Sequence, residues 1–211
     1  MKKNCTEVVF VLDRSGSMCG LEKDTIGGFN SLINKQKKQD GEVLVSTVLF
    51  NDSSVVIHDR KPIYEVRLMT SKDYEVYGCT ALLDALGSSI RHIGNIHKYA
   101  RVEDVPEHTM FVIITDGMEN ASRYYSKERV KSMIEYEKEK YGWEFLFLAA
   151  NMDAIDTASQ YGIDKDHAVN YQCDSVGTRL NYEVLDEAIQ CICSGVPLSK
   201  SWKSKIEVIR N

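Results

Sequence analysis

Proline occurs only three times in 211 residues and no stretch is of low complexity. That excludes proline-rich linkers and collagen-like or repeat architectures. Cysteine is present at 5, 19, 79, 173, 191 and 193, but no two stand in a CxxC pair. The pattern is that of reduced thiols in a cytoplasmic protein, and Cys191 and Cys193, about 200° apart around a helix, make no metal site. A basic excess is missing as well, with 26 Lys and Arg against 31 Asp and Glu and a net charge of −5. No broad basic face is expected, and therefore no nucleic-acid partner. Long apolar runs are absent near the start: behind Met1–Thr6 the run Val8–Leu12 ends at once on Asp13. It is too short for a signal segment or a membrane span, so no membrane partner is expected either. No GxGxxG follows a strand, and Gly16 to Gly20 lacks the lysine of a phosphate-binding loop.

What the sequence does contain is an alternation of short β-branched runs with stretches of helical period. With 43% hydrophobic and 27% charged residues, this is the pattern of an α/β fold with a mostly parallel sheet between helices. The strands fall at Glu7–Leu12, Val43–Phe50, Val55–Asp59, Thr109–Thr115, Trp143–Ala149 and, more weakly, Ala168–Tyr171. Asn51-Asp52-Ser53-Ser54 separates the second and third by a hairpin-length turn, which makes one strand an antiparallel edge. Amphipathic helices are marked by Ile26, Phe29, Leu32 and Ile33; by Leu82, Leu83, Leu86, Ile90 and Ile93; and by Val184, Leu185, Ala188, Ile189 and Ile192. A shorter helix is expected at Asp153–Tyr161, and the charged run Lys127–Lys140 reads as a solvated helix face with Val130, Ile134 and Glu137 aligned. Right-handed crossovers place successive helices on either side of the sheet. The length suits one domain, residues 1–196, with 197–211 as a tail or an extra packing helix or strand.

In an open parallel sheet, ligands bind at the carboxyl ends of the strands. Three polar features fall there: Asp13-Arg14-Ser15-Gly16-Ser17, Asp116-Gly117, and Thr80 in Gly78-Cys79-Thr80-Ala81-Leu82. In a straight strand Ser15 and Ser17 share a face but stand about 6.6 Å apart. Two oxygens on one Mg²⁺ lie within about 4.2 Å of each other. The chain must curl, and Gly16 is expected to permit it. Hydroxyl and carboxylate donors without His or Cys suit a hard cation, Mg²⁺ first, with Mn²⁺ or Ca²⁺ as alternatives. Asp13 and Asp116 balance its charge, and an open position suits a carboxylate from a partner protein.

Taken alone, "LDRSGSM" also fits a helix or turn cap, a calcium loop or an aspartate nucleophile. An EF-hand is disfavoured because Met18 stands at the turn glycine and a strand precedes Asp13; a hydrolase or phosphotransfer enzyme would want a second carboxylate where Ser15 stands. Asp84 is expected to serve the helix dipole. Glu119 and Asn120 read equally as ligand-tuning groups or exposed loop polarity. The five histidines form no ligand pattern.

Together, Asp13-x-Ser15-x-Ser17, Thr80 in "TALLDAL" and Asp116 in "IITDG" resemble the metal-ion-dependent adhesion site of von Willebrand factor A domains, over roughly Glu7 to Ser194. The resemblance implies a six-stranded Rossmann-like, doubly wound sheet of order 3-2-1-4-5-6 with strand three antiparallel. It implies that Ser15, Ser17 and Thr80 hold the ion directly or through water, and Asp13 and Asp116 usually through water. It further implies a non-enzymatic, cytoplasmic, bacterial adaptor that binds a Glu or Asp of a partner, as subunits of ATPase or stress-response complexes do. A metal-dependent hydrolase and a metal-free scaffold are the other functions considered. Cys79 departs from the family's usual glycine, and Cys19 and Cys79 are expected on the same rim as two unrelated, partly buried thiols.

Overall fold

A computed structural model describes residues 1–210, with side chains described to residue 208. Six strands form one sheet: β1 (Lys2–Asp13), β2 (Glu42–Phe50), β3 (Ser54–Pro62), β4 (Pro106–Thr115), β5 (Glu144–Ala149) and β6 (Ala168–Asn170), in the order β3-β2-β1-β4-β5-β6. Among the described residues, only the β2–β3 pair is antiparallel. The helices are α1 (Glu22–Gln36), α2 (Leu82–Tyr99), α3 (Lys127–Tyr141), α4 (Ala154–Gln160), α5 (Ser175–Cys193) and α6 (Ser204–Arg210). This is the expected mostly parallel α/β sheet, doubly wound.

The period-two alternation of β1 decides which helices cover which face. Val8, Phe10 and Leu12 pack with Phe29, Leu32 and Ile33 of α1 and Leu185 and Ile189 of α5. Val9 and Val11 pack instead with Leu86 and Ile90 of α2, Val130 and Ile134 of α3, and Ala154 and Ala158 of α4. Both faces carry helices, as the sequence implies, but successive helices do not alternate: α1 and α5 share one face and α2, α3 and α4 the other. A right-handed crossover puts its helix on one face when the chain moves one way along the sheet and on the other when it moves back. From β1 to β2 it moves one way; from β3 through β4, β5 and β6 it moves the other.

Beyond the apolar run, β1 extends back to Lys2, paired to Pro106 across an irregularity, and Lys2 and Lys3 reach Glu42 and Glu107. The charged face of α3 is solvated as read, with a Lys131–Glu135 contact four residues apart and Val130, Ile134 and Glu137 turned inward. At the far end, Trp202 and Ile206 are buried against the same core face as α1 and α5, and the Trp202 indole N–H donates to Asp166 O. The α1–α5 contact is close because Gly28 lies flat under Tyr182: a Cβ there would come within 2.2 Å of its ring.

Candidate functional site

Sheet order reverses between β1 and β4, so the loops leaving their carboxyl ends diverge and leave a crevice between them. Asp13 is the last residue of β1 and Asp116 follows the last residue of β4. The loop ending in Thr80, immediately ahead of α2, closes the third side.

The curl that brings Ser15 and Ser17 together is a single 3-10 turn over Gly16–Met18. Met18 N–H donates to Ser15 O at 3.0 Å, and the two serine Oγ atoms stand 3.1 Å apart. That is well inside the limit of about 4.2 Å for two oxygens on one Mg²⁺. The chain curls at Gly16 as expected, without a left-handed backbone there, since Gly16 is absent from the positive-φ glycines. Its use is close approach: Gly16 N–H donates to Gly78 O at 3.0 Å, and a Cβ would stand 3.4 Å from that oxygen.

Both carboxylates are buried and held from more than one side. Asp13 Oδ1 accepts from the Ser15 N–H at 2.7 Å, and Oδ2 accepts from the Thr115 hydroxyl at 2.6 Å. The Tyr74 hydroxyl donates to Asp13 O. Burial pushes the Asp13 carboxyl above its usual range, against the pull of the Thr115 and Ser15 hydrogen bonds. Asp116 Oδ1 accepts from the Ser17 hydroxyl and Oδ2 from the Cys173 thiol at 3.4 Å, while Asn151 Nδ2 donates to Asp116 O at 3.3 Å. Burial raises its carboxyl too, opposed by Ser17 and Cys173. The Cys173 thiol is in turn pushed up to about 11, chiefly by burial and then by the neighbouring carboxylate.

Thr80 is placed by a reciprocal pair: its N–H donates to Asn120 Oδ1 at 2.9 Å, and Asn120 N–H donates to Thr80 O at 3.0 Å. Glu119, read as either ligand-tuning or loose, accepts from the N–H groups of Leu83, Ala121 and Ser122. Asp84 does more than serve the helix dipole: its carboxylate accepts the N–H groups of Arg123, Tyr124 and Tyr125 at 2.8–2.9 Å. The hairpin turn braces the loop from the other side. Asn51 O accepts from Ala81 N–H, Asn51 Nδ2 donates to Tyr77 O, and Asp52 Oδ1 accepts from Cys79 N–H. Gly78 turns there at φ +78°, and any Cβ would collide with Asp52 Oδ2 at 2.0 Å. Cys19 and Cys79 lie on this rim, free and exposed rather than partly buried. Tyr77, Met118 and Tyr124 also point outward into solvent.

Sequence reasoning named Asp13, Ser15, Ser17, Thr80 and Asp116 and did not name the residues that brace them, Thr115, Asn51, Asp52, Tyr74 and Cys173. Asn-Asp in the hairpin turn was the one available signal, since both residues readily accept backbone N–H groups.

Gly117 shows how the set converges. A Cβ built there would lie 3.0 Å from Thr80 Oγ1, 3.1 Å from Ser17 Oγ and 3.8 Å from Ser15 Oγ. Three hydroxyls from two loops thus face one small space that the glycine leaves open, with a carboxylate bonded to one of them. Among the described residues no three His, Cys, Asp or Glu side chains gather where they could hold a metal. The oxygen donors here are hydroxyls and two carboxylates, a set that fits a hard cation and not a thiolate- or imidazole-bound one.

No family model matches the chain, and no curated relative matches its sequence. Solved structures do. The von Willebrand factor domain of the type V pili tip protein Mfa5 from Porphyromonas gingivalis matches with TM-score 0.65 at 10% identity, over 92% of this chain and 97% of that one. Proximal thread matrix protein 1 from the mussel byssus, with a zinc-occupied adhesion-site motif, matches with TM-score 0.60 at 14% identity, over 90% and 47%. The ArnB paralog VWA2 from Sulfolobus acidocaldarius matches with TM-score 0.56 at 17% identity, over 88% and 45%. The chain spans less than half the length of the latter two. At these identities the likeness is one of fold, and the fold is that of von Willebrand factor A domains.

Proposed function

We propose that the chain is a protein-binding module, not an enzyme, in which Ser15, Ser17 and Thr80 hold a divalent cation with Asp13 and Asp116 beside them. The carrying observation is the convergence of the three hydroxyls on the space above Gly117. Two carboxylates of total charge −2 match a +2 ion, while the neutral hydroxyls leave it electrophilic. When bound, the cation supplies an acceptor for an oxygen anion, and the occupant of the open position is a Glu or Asp of a partner protein. Mg²⁺ is the proposed cellular ion, with Mn²⁺ or Ca²⁺ as alternatives. The zinc-occupied site in the byssus protein supports a divalent ion on this fold.

The chain's own residues do the orienting. Thr115 and the Ser15 N–H fix both oxygens of Asp13; Ser17 and Cys173 fix those of Asp116; Asn120 fixes Thr80. Neighbouring polar side chains are committed to backbone partners, and the Cys173 thiol is pushed to about 11. A general base or activated nucleophile therefore has no obvious owner, which favours binding over catalysis. A cytoplasmic setting is part of the proposal, on the cysteine spacing in the sequence alone. The finer reading is an assembly role beside an ATPase or a stress-response complex.

Affinity capture in Mg²⁺, in EDTA and with Asp13→Ala tests the proposal. Partners that elute with EDTA and are lost by Asp13→Ala are expected; capture indifferent to both changes overturns it.

A further inference from the structure

At the opposite end of the sheet from the metal-type site, a cavity of about 320 Å³ opens between α2, α3 and the start of β4. Its walls are mainly apolar, with Val105 and Trp143 among them, and His97, Lys98, Glu107 and Glu137 are the charged or chargeable side chains at its lining. Trp143 is fixed by stacking on Phe111 at 5.4 Å, with the His97 ring edge-on at 5.4 Å.

Of the carboxylates around this cavity, Glu7 and Glu107 are paired and Glu137 is not. Glu7, fully buried on β1, is satisfied twice, by Arg60 Nε at 2.7 Å and His97 Nε2 at 2.6 Å. Glu137 is 9% exposed, its Oε2 is buried without a hydrogen-bond partner, and it forms no ion pair among the described residues. Of the nearby lysines, Lys138 pairs with Asp164 and Lys140 with the Tyr136 hydroxyl, while Lys98 stands at the lining over the Tyr99 ring and forms no ion pair with Glu137. A buried carboxylate against apolar walls is costly unless something compensates it. Burial raises its carboxyl above the usual range, outweighing the opposing pull of His97 and Lys140.

Gly94 keeps a gap open beside it. A Cβ there would stand 3.1 Å from Glu137 Oε1 and 3.9 Å from the Trp143 ring edge. The gap therefore lies between a carboxylate and an indole, and the cavity behind it is some tenfold larger than the space of one water, about 30 Å³. We propose that this cavity is a binding site for a small organic cation, a flat aromatic or aliphatic body carrying an ammonium or amidinium group that pairs with Glu137. The apolar walls take the body and the uncompensated carboxylate takes the head, the combination found in small-molecule sites. Independence from the metal-type site follows from position, since none of the cavity's lining residues belongs to it.

Benzamidine and its neutral isostere benzamide are the probes, with binding read by NMR at the Gly94 amide and the Trp143 indole N–H. Benzamidine is expected to bind at least about tenfold more tightly than benzamide to the unaltered protein, because only it offers a charged bidentate donor. Glu137→Gln, nearly isosteric, is expected to remove that advantage while leaving benzamide binding within about twofold. Equal binding of the two probes to the unaltered protein overturns the proposal and needs no variant. So does the absence of shifts at Gly94 and Trp143 at millimolar benzamidine.

Discussion

The hydroxyl of Thr115, the last residue of β4, donates to Oδ2 of Asp13, the last residue of β1, at 2.6 Å. Two parallel neighbours are thus tied at their carboxyl ends through the carboxylate that faces the crevice. Strand pairing alone would leave that side chain free to rotate; the threonine sets its direction.

Thr115→Val removes the tie while keeping the shape. Stability is expected to fall by about 1–2 kcal/mol, because a buried carboxylate oxygen loses its donor. Mn²⁺ affinity by calorimetry is expected to drop about tenfold, the usual cost of losing a group that orients a ligand. An unchanged affinity would show that Asp13 is oriented without Thr115.

Gly117→Ala fills the space on which the three hydroxyls converge, at 3.0 Å from Thr80 Oγ1 and 3.1 Å from Ser17 Oγ. Gly117 is not among the left-handed glycines, so the alanine carries no backbone penalty. In EDTA, stability is expected to stay within about 1 kcal/mol, while cation binding is lost or weakened at least about tenfold. Tight Mn²⁺ binding by the alanine variant would place the cation elsewhere.

Asp84→Ala withdraws one acceptor from three successive N–H groups. Part of the loss is made good by water because this loop is partly exposed, so about 1–2 kcal/mol is expected. Amide exchange should accelerate at residues 123–125 and leave β4 protected. Unaltered exchange there would mean that the loop is held by its other contacts.

The loop ahead of Tyr74 carries a pH signature. Arg67 clasps Asp73 through both guanidinium nitrogens at 2.7–2.8 Å, and Thr70 adds its N–H and hydroxyl. The Arg67 hydrogen bond, with the Thr70 bonds behind it, holds the Asp73 carboxyl well below the usual range. A carboxyl depressed in the folded state contributes stability in full above its unfolded value, about pH 4, and loses it as pH falls toward the folded value. Asp73→Asn is therefore expected to cost about 1 kcal/mol at pH 7, a modest figure because Arg67 is half exposed. In urea titrations that deficit should narrow only below about pH 4; a constant deficit down to pH 2.5 would refute the assignment.

Legibility followed the physical source of each signal. Val8–Leu12 is buried on both faces, so five apolar residues in a row announced a central strand. Lys2–Cys5 belongs to the same strand but is held by backbone pairing and by Lys2 and Lys3 at its edge, which leave no hydrophobic pattern. Arg60 to Pro62 extend β3 past a positive φ at Arg60, a turn that composition does not reveal. Asp13, Ser15, Ser17, Thr80 and Asp116 were legible because their spacing and order are unusual. Their braces were not, because Asp84, Glu119, Asn120 and Asn51 act on backbone groups far along the chain, and every residue offers those.

The rim separates two kinds of side chain. Asn51, Asp52, Asp84, Glu119 and Asn120 turn into the loops and fasten them to one another, and the Tyr77 ring covers the Arg14 guanidinium at 5.5 Å, whereas the side chains of Met118 and Tyr124 face outward. The Met118 and Tyr124 side chains make no hydrogen bond among the described residues to the architecture beneath. Substitution at Met118 and Tyr124 is therefore expected to leave the scaffold unchanged, and, if the proposed partner docks on this rim, to alter which partner it accepts.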